Sequence, residues 1–202
     1  MMNTRWFGAA ACSALAWFSA SCTPWTVRPL SQTGGDSGQP AAFDAAHYVD
    51  SIWNSRVLPA ASGAADFASL LDPANRSAAA VLVKGRARVL RADTASPSGV
   101  LLLDAAPYDG RPDAALAVGP DIGGTTLRDA LPFIQFSQFV NQLQFAQVGN
   151  ALNDRAASAA ASLALRDLAG RIIVFSGAAQ RPADGGLLQI VPVTLAVAPE
   201  RK

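Results

Sequence analysis

The 202-residue chain predicts a mostly β domain of the α+β class, a small barrel with an inserted helical segment. Three observations carry that prediction. From Val81 to Val89, apolar residues alternate with Lys84, Arg86 and Arg88, the pattern of a half-buried strand. Short apolar runs separated by Gly, Pro and Asp recur before and after the middle of the chain. Between those runs, residues 137–168 carry helical spacing and the Ala-rich stretch Ala156 to Ala164, which has high helix propensity.

Phe43, Ala46, Tyr48-Val49, Ile52-Trp53 and Val57 repeat at helical spacing, so a helix is expected from Phe43 to Leu58, ended by Pro59. A second, short helix is expected from Ala64 to Leu71, stopped before Pro73. In the first strand Val81, Val83, Gly85, Ala87 and Val89 share a face, and Gly85 marks a bulge or a tight bend. Gly99 to Asp104 and Ala114 to Val118 are the next strands, joined through Asp109-Gly110. In the helical block Ser137 caps the start, Gly149 divides it and Gly170 ends it. Ile172 to Phe175 and Leu187 to Val197 are the last strands, with Pro192 either bending the second or placing it at an edge. Five or six strands with short turns fit a barrel like the oligonucleotide/oligosaccharide-binding (OB) fold.

The N-terminal residues set a compartment. A basic Met1 to Arg5, an apolar Trp6 to Phe18 and the small Ser19-Ala20-Ser21 have the order of a secretory signal. The apolar run is shorter than the ~20 residues a membrane-crossing helix needs. Residues 1–21 are therefore read as a signal peptide, residues 22–42 as a flexible tether rich in Pro, Gly, Ser and Gln, and residues 43–202 as one globular domain. Cys12 leaves with the signal, so Cys22 has no partner for an intrachain bridge. Charged residues are 15% of the chain and its formal charge is +1, of which Arg5 leaves with the signal. A neutral body gives no long-range pull on nucleic acid, so none is expected as a partner.

The central segment, Gly119 to Asn153, is the most informative. No charged residue lies between Asp129 and Asp154, and the polar positions are mostly amides, among them Gln138, Asn141 and Gln142, interleaved with Phe133, Phe136, Phe139 and Phe145. On a helix, Phe136, Phe139, Val140, Leu143 and Ala146 fall on one side and Phe145, Val148 and Leu152 on another, which describes a largely enclosed helix. Its amides either line a pocket or interface suited to an uncharged polar ligand such as a sugar, or satisfy buried backbone groups. Upstream, Gly123-Gly124-Thr125-Thr126-Leu127-Arg128-Asp129 has capping-box spacing from Thr126 to Asp129. Glycines before a helix start can aim N–H groups at an anion, with Arg128 as a clamp, whereas the simpler role for Arg128 and Asp129 is local hydrogen bonding. Thr125, Thr126, Arg128, Asp129, Gln138, Asn141 and Gln142 are accordingly the candidate ligand or partner surface.

Two resemblances extend this reading. The leader resembles a bacterial lipoprotein signal, which implies that Cys22 becomes the acylated (palmitate-bearing) first residue, and Thr23 in place of Asp implies the outer rather than the inner membrane. Ser19 stands where such signals usually carry Leu, and an ordinary signal peptidase cutting after Ser21 would give the same mature start without lipid. The segment GPDIGGTTLRDALPFIQFSQFVNQLQFAQVGNALN, with Phe43, Tyr48-Val49, Trp53, Pro59, the Gly85 strand and Pro192-Val193, resembles a bacterial family of predicted periplasmic lipoproteins, domain of unknown function 2291. The resemblance brings no catalytic residues to carry over. It implies an accessory role beside sugar ABC importers.

Catalytic constellations find little material. His47 is the one histidine, and no Gly-x-Ser-x-Gly elbow exists to pair with it. One histidine and no spare thiol do not make a zinc site. Asp104, Asp109 and Asp113 lack calcium-loop spacing and read as turn residues. The expectation is a non-enzymatic, membrane-tethered binding or accessory protein without cofactor. Two alternatives are an envelope enzyme using Arg128, Asp129 or His47, and a structural assembly protein that forms homo-oligomers through the amide-rich helix.

Overall fold

The computed structural model describes residues 43–72, 78–161 and 163–199. The expected signal peptide, the tether, Cys22, Pro73 and Glu200 lie outside the described residues. Six strands form one sheet: β1 (Ala65–Asp66), β2 (Val81–Asp93), β3 (Val100–Asp104), β4 (Ala114–Ala117), β5 (Ile172–Gln180) and β6 (Leu188–Val197). The strand order is β1-β2-β3-β4-β6-β5, and β5 pairs back onto β2, so five strands close into a barrel with β1 attached outside the ring.

Closure depends on the length of β2. Its first half, Val81 to Arg88, runs antiparallel to β5, and its second half, Arg88 to Asp93, runs antiparallel to β3. The change of partner is accompanied by an irregularity between Val89 and Arg91. The bulge therefore falls at Leu90 and not at Gly85, whose pairing with Phe175 lies in an unbroken ladder. Gly85 is needed for a different reason: a Cβ there would collide with the ring of Phe67. That ring packs on Phe175 at 5.1 Å inside the barrel. The alternation expected for β2 holds, with Val83, Ala87 and Val89 buried and Lys84, Arg86 and Arg91 exposed.

Pro192 bends β6 and does not sit at an edge from the start. The parallel pairing to β4 covers Leu188 to Ile190 and stops before Pro192, where a missing N–H costs no ladder bond on that side. Opposite it, Gly177 stands at a second register irregularity, and a Cβ there would run into the backbone of Val191 and Pro192. Around this bend β6 contributes to two layers, and Leu195 and Val197 beyond it return to the barrel cluster. Ile190 faces the barrel interior, whereas Ala178, Val191 and Val193 face a second apolar layer.

That second layer lies under the helices. α1 (Ala45–Ile52) continues through one π turn (Trp53–Val57) into α2 (Leu58–Ser62). The helix does not end at Pro59, as the sequence suggested. Leu58 N–H bonds Trp53 C=O five residues back, and the shifted register puts Pro59 in the first turn of α2, where its absent donor is tolerated. The second expected helix is also corrected. Ala65 and Asp66 are extended and pair with Val83 and Lys84, and only Phe67–Leu70 makes a 3₁₀ turn, capped by Asp66. α3 (Thr126–Asp129) and α4 (Gln142–Ala161) complete the layer, with Val49, Trp53, Leu127, Val148 and Leu152 buried against β5 and β6. Ala160 and Leu168, at and after the end of α4, pack on the interior of the barrel.

Within the helical block two more expectations change. Ser137 does not cap α4. Asn141 does, its Oδ1 accepting from Gln144 N–H at 2.9 Å, and Ser137 lies in a separate 3₁₀ turn, Phe136–Gln138. Gly149 does not divide the helix. It lies within an unbroken α4, and a Cβ there would sit in ordinary contact with the side chain of Arg128.

Candidate functional site

The Gly123–Thr126 loop crosses the outer face of the barrel, and a cleft of about 540 Å³ lies between them. Its polar groups come from Ser98, Asp121, Thr125, Thr126, Gln180 and Gln189, and its floor from residues of β3 and β4 such as Val100, Ala115 and Ala117. No cation lines it. Thr126 Oγ1 donates to Gln180 Oε1 at 2.9 Å, and Gln180 Nε2 donates to the carbonyl of Ala78. Asn153, nearly buried on α4, donates to Gly124 C=O at 2.9 Å and ties the loop to the helix.

Local physics sets the loop. Gly124 has φ of 82°, a left-handed conformation that glycine adopts without steric cost. Thr125, not Thr126, is the cap position of α3. Its hydroxyl donates to Asp129 Oδ2 at 2.6 Å and makes no bond to the helix backbone. The capping box expected between Thr126 and Asp129 does not form: Thr126 lies inside the first turn with its hydroxyl on Gln180, and Thr125 meets Asp129 side chain to side chain.

The structure brings together only part of the expected surface. Thr125 and Thr126 line the cleft. Arg128 and Asp129 pair with each other, Nε and Nη2 of the arginine both donating to one carboxylate oxygen at 2.9 and 2.8 Å. The guanidinium also lies over the Phe145 ring, 3.9 Å from its centroid. With its fork on Asp129 and its face on Phe145, Arg128 is engaged in local structure. Gln138 accepts from Gln135 N–H, and Asn141 caps α4, both away from the cleft. Gln142 is exposed at the first turn of α4. These amides serve backbone groups at the ends of short helices, and the phenylalanines expected beside them in a pocket form a separate cluster. Phe139 meets Phe43, Tyr48 and Phe145 at 5.6–5.8 Å, and Phe136 meets Phe145.

The segment is not enclosed as expected. Phe136 is 54% exposed, Leu143 67% and Val140 87%, while Val148 and Leu152 are buried. Val148 and Leu152 pack in the layer against the barrel, whereas Phe136, Val140 and Leu143 are open to solvent. His47 lies exposed in the first turn of α1, where its backbone N–H bonds the capping Asp44. The three loop aspartates act as turn residues. Asp104 accepts from Gly110 N–H, Asp113 from Ala105 N–H and Asp109 from Arg111 N–H. Among the described residues no three His, Cys, Asp or Glu side chains are grouped to hold a metal, and no helix is long and apolar enough to cross a membrane.

Ser98, Asp121, Gln180 and Gln189 were not anticipated. They come to the cleft from separate elements, and no local spacing in the sequence links them.

Among solved structures, the chain is similar to an OB-fold protein from Thermotoga maritima MSB8, with a TM-score of 0.60, 15% identity and coverage of 78% of this chain and 99% of that one. The likeness supports the fold expected from the sequence. No curated protein matches the chain. The family model for predicted periplasmic lipoproteins, domain of unknown function 2291, matches residues 12–196, and the chain belongs to that family.

Proposed function

We propose that this chain is a non-catalytic envelope lipoprotein, moored on the periplasmic side through acylated Cys22 and acting as an accessory or binding component of carbohydrate uptake, with the outer membrane as its anchor site. Family membership and the order of charge, apolar run and small residues before Cys22 support the anchor. The observation that carries the binding role is the cleft beside Thr126. Hydroxyls, amides and one carboxylate converge there on an apolar floor, with no cation among the described residues, a donor and acceptor set suited to a neutral polyol.

The test is a titration of the mature chain with glucose, galactose, ribose and xylose, followed by thermal unfolding. A saturable rise in melting temperature, lost in Thr126→Val and in Gln189→Leu, is the expected result. No rise with any of them defeats direct sugar capture. Mass spectrometry of the N-terminal peptide from native membranes tests the anchor separately.

A second reading, assembly with another copy, is favoured by the open face of Phe136, Val140 and Leu143. Exposed apolar patches of this kind mark interaction sites. The stretch between Asp129 and Asp154 carries no charge, so a twofold contact there sets no like charges against each other. Light scattering is expected to give a dimer that Val140→Asp converts to monomer; a wild-type monomer at high concentration ends this reading.

A further inference from the structure

We propose that a second cleft, between β2, the β3–β4 loop and the start of β5, binds a small organic oxyanion, a phosphate or carboxylate carried on an apolar or aromatic body. This site is distinct from the cleft beside Thr126 and does not depend on the sugar reading. It has a volume of about 620 Å³, and Arg86, Tyr108, Arg171, Ile172 and Ala198 line it.

The alternation of β2 places Lys84, Arg86 and Arg88 on the outer face of the barrel. Two of the three have defined local roles. Lys84 Nζ donates to Ser62 C=O at 2.9 Å. Arg88 lies over the Tyr108 ring, 4.6 Å from its centroid, and stands across the ladder from Asp104, whose buried carboxylate accepts from Gly110 N–H. Arg86 has no such tie. It is exposed, and among the described residues it forms no ion pair, side-chain hydrogen bond or ring contact. Arg171 brings a second guanidinium to the same cleft from the residue before β5.

Among the described residues, no carboxylate lines the cleft. Asp109, next to Tyr108 in the loop, uses one oxygen on Arg111 N–H. Arg86 presents an untied guanidinium to a concave surface that Arg171 also lines, on a chain close to neutral overall, so positive potential there comes from Arg86. Guanidinium forks match phosphate and carboxylate oxygens, two donors to two acceptors. Ile172 and Ala198 supply the apolar floor, which inorganic phosphate alone would leave uncovered.

Tyr108 is the second, independent observation. Its φ is 63°, a left-handed conformation that a bulky residue adopts only where its surroundings impose it. Here its N–H bonds Ala105 C=O at 2.8 Å and its ring is held by Arg88. The strain fixes an aromatic wall on the cleft. Strained residues of this kind concentrate at binding sites.

The experiment is calorimetric titration of the mature chain with phenyl phosphate at low salt, with benzoate, inorganic phosphate and phenol as companion probes. Saturable binding of phenyl phosphate or benzoate, weakened by added salt and absent for phenol, is the expected result. Arg86→Ala should weaken it roughly tenfold or more, the scale of one lost charge-assisted contact, and Arg86→Lys should weaken it less. Arg91→Ala, on the same strand but outside the cleft, should leave it unchanged. Arg86 is exposed, so its variants should melt with the wild type, which separates loss of binding from loss of fold. No saturable binding of either aromatic anion, or Arg86→Ala binding like the wild type, overturns the proposal.

Discussion

Replacing Arg128 by Ala separates a structural arginine from a ligand-binding one. The side chain is 13% exposed and makes two interactions, an ion pair with Asp129 and a cation–π contact with Phe145. Asp129 is 44% exposed, so solvent screens the pair and its share is about 0.5 kcal/mol. The ring contact, 3.9 Å from the centroid and shielded, is worth about 0.5–2 kcal/mol. The sum is roughly 1–2.5 kcal/mol. For a domain of this size each kcal/mol moves the melting temperature by about 2–4 °C, so Arg128→Ala should lower it by roughly 3–8 °C. Differential scanning calorimetry of the mature chain measures this directly. Asp129→Asn keeps an acceptor for the Thr125 hydroxyl and should cost no more than about 0.5 kcal/mol. A melting temperature for Arg128→Ala within about 1 °C of wild type, or an equal loss in Asp129→Asn, would refute the assignment of Arg128 to the ring contact.

Three further substitutions probe the frame around the clefts. Gly85→Ala pushes a methyl into the Phe67 ring and should cost about 1–3 kcal/mol, seen as a lower urea midpoint at constant slope. Gly177→Ala meets backbone atoms of Val191 and Pro192, which cannot rotate away as a ring can. It should cost more than Gly85→Ala, and a smaller loss would show that the β5–β6 bend relaxes easily. Asn153→Ala strips the Gly124 carbonyl of its donor and should cost about 1–3 kcal/mol. It should also speed hydrogen exchange across residues 121–126, and unchanged exchange there would show that the loop is not held from α4.

Most of the fold was legible because strands write their periodicity locally. The alternation from Val81 to Val89, the short runs at Val100 and Ala114, and the paired segments near the C-terminus each appear within ten residues or so of chain, and together they imply a small barrel. The errors also share a cause. Pro59, Gly85, Ser137 and Gly149 carry local signals for breakers and caps, which backbone register, packing or a nearby competitor overrides. A π turn precedes Pro59, the Phe67 ring lies over Gly85, Asn141 caps in place of Ser137, and α4 runs on through Gly149.

The candidate sites divide in the same way. By itself the sequence determined the strand content, the outward row of Lys84, Arg86 and Arg88, the prominence of the Gly123–Asp129 loop and the charge-free stretch that follows it. Tertiary structure decided which polar groups meet. Gln180 joins Thr126 across 54 positions, and Arg171 joins Arg86 across the β2–β5 pairing that closes the barrel. It also decided which face of the amide-rich segment is covered. Side-chain periodicity records how a segment is buried, whereas the pairing of distant strands is a property of the closed barrel, and a cleft exists only once that closure has set its walls.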